Sequence, residues 1–269
     1  MICVRELISI LDKVAEPALA ESWDNTGLMV GEPDAEISGI MVALDPTLEV
    51  LAEAKRRGCN TIVTHHPLIF KGLMSVRTDH PEGRILARAL QDRLVIIGCH
   101  TNLDKVSGGV NDMLAARLGL VNSRVMGQNT GLSEPGVVGF GRIGELPISM
   151  NFPDFVAFIR EKLGLQVVKV AGAPPAEITK VAVCGGSGSE LAPLAMANGA
   201  HIYISAEIKH AMARWAESAG FCIVDGGHFA TENVMVMGLA KLIRRGLAEL
   251  NMSAEVLTTE SQVSPFRYY

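Results

Sequence analysis

Short apolar runs without polar alternation punctuate the whole chain. They include IMVAL at 40–44, TIVTH at 61–65 and LVIIG at 94–98. Further runs are VVGF at 137–140, VVKV at 167–170, VAVC at 181–184, IYIS at 202–205 and FCIVD at 221–225. A strand with one wet face alternates apolar and polar residues, whereas a strand covered on both faces does not. Ala- and Leu-rich stretches of helical spacing separate the runs. Buried strands joined by helices imply βαβ units and an α/β fold. At 48% hydrophobic and 20% charged, the 269 residues supply a full core and exclude a disordered chain.

The pattern occurs twice. ISGIMVALDPTLEVLAEAKRRGCNTIVTHH, from Ile37, reads strand, turn, helix, Gly, strand and a polar cluster with His. ITKVAVCGGSGSELAPLAMANGAHIYISAEIKH, from Ile178, reads the same way. In the continuations a buried strand leads to a His with a carboxylate four positions on: His100 with Asp104, and His228 with Glu232. Duplication is the expected source of this match, with shared βαβ grammar and chance as the alternative. The expected architecture is two pseudo-repeated α/β lobes with mostly parallel buried sheets and a metal site between them. The expected division is 1–127 plus 223–269 for the first lobe and 128–222 for the second. The turn-rich GQNTGLSEPG at 127–136 marks one boundary.

Composition narrows the function. The net charge is -5, the Lys and Arg residues are scattered and aromatics are 5%, so direct nucleic-acid binding is not expected. A small anionic substrate needs only a local site. Five cysteines, none in a CxxC pair, fit neither a disulfide framework nor a thiolate zinc cage. Buried, reduced thiols in a cytoplasmic protein are expected. The N-terminal stretch carries Arg5, Glu6, Asp12, Lys13 and Glu16, so it is no signal peptide, and no stretch has the length of a membrane span.

Three strand ends carry potential metal donors. Thr64-His65-His66-Pro67 ends the run TIVTH. Neighbouring side chains on an extended chain point apart, so this pair suits two ions better than one. His100 and Asp104 follow LVIIGC, at the sheet edge where open α/β folds bind ligands. Asp225-Gly226-Gly227-His228 follows FCIV, and a helix starting near His228 puts His228 and Glu232 on one face. Singly, each has a plain reading as a strand-end cap, a loop or helix-cap Asp, or a surface pair. Together they form a nitrogen and oxygen set, His65, His66, Asp104, His228 and Glu232, suited to Zn, Mn, Fe, Co or Ni. Five ligands exceed one tetrahedral ion and suit two ions about 3.5–4 Å apart.

WDNTGLMVG at 23–31, THHPLIF at 64–70, HTNLD at 100–104, CGGSG at 184–188 and DGGHFATE at 225–232 occur in one order. Together they resemble the Nif-three-like dinuclear metal centre family of the YbgI type, whose members are often labelled GTP cyclohydrolase I type 2 homologues. The resemblance covers nearly the whole chain. It implies two divalent metal ions per chain, ligated by His65, His66, Asp104, His228 and Glu232, with Glu232 bridging. It also implies a ring-shaped homohexamer, and the chain is too short for the extra domain many members insert between the lobes. Members often have Gly-Glu or Gly-Asp where this chain has Ala206-Glu207. His100, Glu207 and His210 are candidates for supporting the ligands or moving protons.

Other motifs point elsewhere. Gly139-Phe140-Gly141-Arg142-Ile143-Gly144 spells a dinucleotide fingerprint, but Glu145-Leu146-Pro147 follows, so a strand with glycine turns is expected. Cys184-Gly185-Gly186-Ser187-Gly188 follows a strand, and its amides could cradle an anion. Three functions fit. One is a metal-dependent hydrolase acting on a nucleotide, phosphate ester or cyclic amide. The others are a non-catalytic metal-binding or delivery protein and a regulatory interaction protein.

Overall fold

The computed structural model describes residues 2–126 and 138–268. The expected boundary stretch at 127–136 and the first residue of VVGF lie outside the described residues. The strands are β1 (Gly27–Val30), β2 (Ile40–Ala43), β3 (Thr61–Thr64), β4 (Val95–Gly98), β5 (Val121–Val125) and β6 (Arg142–Met150). They continue with β7 (Lys169–Ala171), β8 (Ile178–Ser187), β9 (Ile202–Ala206), β10 (Cys222–Asp225) and β11 (Val256–Thr258). The helices are α1 (Val4–Val14), α2 (Leu48–Arg56), α3 (Pro81–Gln91), α4 (Thr101–Lys105) and α5 (Val110–Arg117). They continue with α6 (Phe152–Leu163), α7 (Ala192–Ala197), α8 (His210–Ala219), α9 (His228–Glu232) and α10 (Val234–Glu249).

The chain forms two compact units. One comprises Met1–Val106 and Met235–Val263; the other comprises Ser107–Val234 and Ser264–Tyr269. The lobes expected from the sequence divide after 127 and 222, whereas these units divide after 106 and 234. The cause is local. Leu114, Ala115 and Leu118 of the α5 region pack in one cluster with Val181, Ile202 and Val224, and β5 pairs with β6.

In the first unit the sheet order is β1-β4-β3-β2-β11. Its β2, β3, β4 and β11 are parallel, and β1 lies antiparallel on β4. Every residue of β2, β3 and β4 is buried, as their unbroken apolar runs require. Ala43, Thr64 and Gly98 are register partners, so the residues after them leave the sheet at one edge. That edge carries Asp45, His65, His66 and His100.

In the second unit the order is β5-β6-β8-β9-β10-β7. Only the β8·β9 and β9·β10 pairs are parallel; the β5·β6, β6·β8 and β10·β7 pairs are antiparallel. Both sheets are therefore mixed, which corrects the expectation of mostly parallel sheets for the second unit. Only β8, β9 and β10 are joined through helices, α7 and α8, that return the chain to run parallel. The parallel trio β8-β9-β10 nonetheless repeats the order β2-β3-β4. Residues 138–140 form no strand, which corrects the expected VVGF element: the strand of this region, β6, starts two residues after it at Arg142. The fingerprint letters at 139–144 thus run into a strand, not a helix.

All five cysteines are free thiols, and Cys59, Cys99, Cys184 and Cys222 are buried. Burial pushes the Cys59 thiol up to about 11 and those of Cys99 and Cys222 up to about 12, so all three stay protonated. Among the described residues no helix is long and apolar enough to cross a membrane.

Candidate functional site

In the first unit His65 is fully buried at the end of β3. Its Nδ1 lies 2.8 Å from the Cys99 carbonyl oxygen. A carbonyl only accepts, so Nδ1 carries the proton and Nε2 presents a lone pair. That Nε2 stands 3.5 Å from Asp104 Oδ1. His66 turns its Nδ1 to Asp45 Oδ1 at 2.7 Å, and Thr64 Oγ1 donates to the His66 carbonyl at 2.7 Å. Asp45 is held in turn by Gln262, whose Nε2 donates to the Asp45 carbonyl at 3.1 Å and to Oδ2 at 3.3 Å.

His100 repeats the arrangement. Its Nδ1 meets Asp24 Oδ1 at 2.7 Å, while Asp24 Oδ2 accepts from Thr101 N at 3.0 Å and Thr101 Oγ1 at 2.5 Å. Burial tends to raise the Asp24 carboxyl, but the hydrogen bonds from His100 and Thr101 outweigh it and hold it below the usual range. Burial, with His65 beside it, pushes His100 down, toward the neutral ring that a metal or a proton needs. One donor atom from each of His65, His66 and His100 lies within 4.8 Å of the others. Asp104 sits on α4, which Asn102 fixes by donating from Nδ2 to the Ala15 carbonyl at 2.9 Å.

In the second unit α9 begins at His228 and ends at Glu232. The expected i, i+4 face is present: His228 Nε2 lies 2.8 Å from Glu232 Oε2. His228 Nδ1 lies 2.8 Å from Glu207 Oε1. Glu207 holds a positive φ of 53°, a conformation costly for a residue with a Cβ, at the position that aims its carboxylate at His228. His210 is an exposed residue opening α8 and does not join the His228, Glu207 and Glu232 group.

The glycine-rich end of β8 makes room for this pair. Gly185 N donates to Asn111 Oδ1 at 2.9 Å, Gly186 N to Thr231 Oγ1 at 3.1 Å and Gly188 N to Ser205 Oγ at 3.1 Å. These three amides are engaged within the protein, so they are not offered to the anion cradle expected from the sequence. Gly186 also lies so close that a Cβ there would fall 2.0 Å from Glu232 Oε1.

Sequence reasoning missed Asp24 and Asp45. Asp45 had a signal, since it leaves β2 at the edge where His65 leaves β3. Asp24 lies in the motif WDNTGLMVG, but nothing local ties it to His100, 76 residues away.

Each of the four imidazoles thus has Nδ1 against an oxygen, which leaves Nε2 as its remaining ring nitrogen, within an α/β fold of two mixed sheets. That is the donor chemistry of a metal-binding protein of His and carboxylate type. The profile of the Duf34/NIF3 (NGG1p interacting factor 3) family matches residues 2–265, and the chain belongs to that family. A Clostridium perfringens protein called GTP cyclohydrolase 1 type 2 homolog is 31% identical, with 98% of this chain and 99% of that protein covered. A Staphylococcus aureus protein of the same name is 27% identical over 365 aligned positions, with 98% of this chain and 99% of that protein covered. That span exceeds the 269 residues here, so the relative carries inserted sequence this chain lacks. A crystal structure of a Staphylococcus aureus protein superposes with a TM-score of 0.93 at 31% identity, covering 100% of this chain and 99% of that one.

Proposed function

We propose that the chain binds two divalent metal ions, which His65, His66, Asp104, His228 and Glu232 would hold, and acts as a metal-dependent hydrolase. The observation that carries this reading is the shared posture of the imidazoles. Four Nδ1 atoms are engaged by Cys99, Asp45, Asp24 and Glu207, which fixes the opposite nitrogen of each ring as the atom offered to a ligand. The donors are all nitrogen and oxygen, as first-row divalent ions accept. Such ions, when bound, polarise a carbonyl or phosphoryl group and lower the barrier to attack by water. His100 is not needed to complete the set of five. With its Nδ1 held by Asp24, its Nε2 is placed to take or give a proton.

The substrate class is a nucleotide, phosphate ester or cyclic amide, in keeping with the name the relatives carry. A homohexameric ring belongs to the same proposal, and light scattering tests it as six times the 28.7 kDa chain. The decisive experiment is elemental analysis of protein purified without added metal. About two equivalents per chain, lost on His65→Ala, is the expected result. Less than half an equivalent, even after dialysis against Zn, Mn or Fe, overturns the dinuclear reading. With metal present, Glu232→Gln is expected to abolish turnover of a phosphoesterase substrate. A protein that keeps its metal and turns over nothing in a broad screen is a metal-binding or delivery protein instead.

A further inference from the structure

Trp23 and Phe70 stand beside the histidine group of the first unit with their rings uncovered. Trp23 is 58% exposed and Phe70 43%, in a protein that buries Phe155 at 1% and Tyr203 at 0%. Their centroids are 5.8 Å apart with planes inclined at 57°. Both rings meet His100 edge-on, at 6.3 Å from Trp23 and 6.1 Å from Phe70.

The segments carrying these rings are tied down. Asp24, next to Trp23, has a fully buried carboxylate bound by His100 and Thr101. Asn25 Nδ2 donates at 2.5 Å to the carbonyl of Ile69, the neighbour of Phe70, so the two segments are joined directly. Glu21 N donates to Thr101 Oγ1 at 2.9 Å. Leaving large apolar rings in water costs free energy, and here they are presented from anchored backbone, which keeps them ready for a ligand at little ordering cost.

We propose that Trp23 and Phe70 form a stacking platform for a planar nitrogen heterocycle of nucleobase size. The ring lies against the inclined pair, and its polar edge faces His100 and, behind it, His65 and His66. Aromatic walls with a few convergent polar groups define a small-molecule site, and every base has a π-face to stack. This deepens the proposed function by naming the part of the substrate held outside the metal centre. The chemistry at the inner end rests on that reading; the stacking does not.

Fluorescence tests it. The chain has two tryptophans, so Trp215→Phe leaves Trp23 as the sole indole. The full-length protein in this background is titrated with guanosine, adenosine and, as a ring-free control, ribose 5-phosphate. Saturable quenching by both nucleosides and none by the control is expected. Phe70→Ala should raise Kd by roughly tenfold, the lower part of the range for losing one stacking partner, and Phe70→Tyr should restore it. Binding that persists in His65→Ala supports the platform even if the metal reading fails. Absence of saturable quenching by either nucleoside overturns the proposal, as does a Kd unchanged by Phe70→Ala. Nucleoside binding that is lost in His65→Ala but indifferent to Phe70→Ala overturns the platform and leaves the metal centre standing. Indole emission that is blue-shifted without ligand and moves red on dilution also overturns it, because the rings are then covered by a second copy of the chain.

Discussion

Glu53, on α2, shows how much one buried carboxylate holds. It accepts from Thr259 Oγ1 at 2.6 Å, from Glu260 N at 3.0 Å and from Ser261 N at 3.1 Å, and Arg57 pairs with it at 2.8 Å. It therefore pins the segment that carries Gln262, and through Gln262 the Asp45 that orients His66. Burial raises its pKa, but the hydrogen bonds from Thr259, Ser261, Glu260 and Arg57 prevail and draw it from 4.5 down to about 2. A depressed carboxyl stabilises the fold above its unfolded value and loses that contribution as pH falls through the folded one. Glu53→Gln should therefore lower the unfolding free energy at pH 7 by about 3 kcal/mol. Urea titrations should show the gap to the parent narrowing between pH 4.5 and about 2, and a gap independent of pH would contradict this account. At Gly186 the constraint is space and φ. Its φ is +62°, and a Cβ would strike Glu232. Gly186→Ala should cost about 1–3 kcal/mol and reduce bound metal, which thermal melts and elemental analysis read separately.

Elements reach the site through their ends. The parallel strands deliver donors because their register aligns their last residues, and the short helices α4 and α9 then turn Asp104 and Glu232 back toward the histidines. Glu207 occupies the corresponding turn after β9. Glu207→Ala should weaken metal affinity by roughly 10–100-fold, measured by competition with a chelator, with little change in the melting temperature. Helix α6 supplies a contrast away from the donors. Asn151 caps it, accepting from Asp154 N at 2.9 Å, and Gly164 closes it in the left-handed conformation at φ 67°. Asn151→Ala should cost about 1 kcal/mol and leave bound metal unchanged. A fall in metal content would show that the second unit transmits strain from α6 to His228.

At the scale of the molecule, each unit carries a core of its own. Met41, Val50, Ile62 and Ile96 lie in one cluster, and Val181, Ile202, Cys222 and Phe155 in another. The chain enters the first unit twice, so β11 completes a sheet begun more than two hundred residues earlier. Under the proposed function, metal binds only folded protein and stabilises it. Free metal at a hundredfold excess over Kd should raise the unfolding free energy by about 2.7 kcal/mol. Calorimetry before and after chelation checks this, and an unchanged transition in protein shown to lose metal would sever binding from folding.

The strands most readily seen in the sequence were β2, β3, β4, β9 and β10, since a strand buried on both faces leaves an unbroken apolar run. Other strands were harder to see. β1, β5 and β11 are short and half exposed, and β6 passes through Pro147, so none shows that pattern. Met235 is buried as core filler, whereas its neighbour Met237 is 55% exposed, a difference set by the face of α10. Local order alone determined that donors follow strands, that His228 and Glu232 share a helical face, and that the chain is α/β. Those features need only neighbouring residues and strand or helix periodicity. The tertiary structure decided the mixed direction of the second sheet, the pairing of Asp24 with His100 and Asp45 with His66, and the use of the glycine turn as clearance for Glu232. Each of these depends on segments distant in sequence meeting at hydrogen-bond range, which no local pattern encodes.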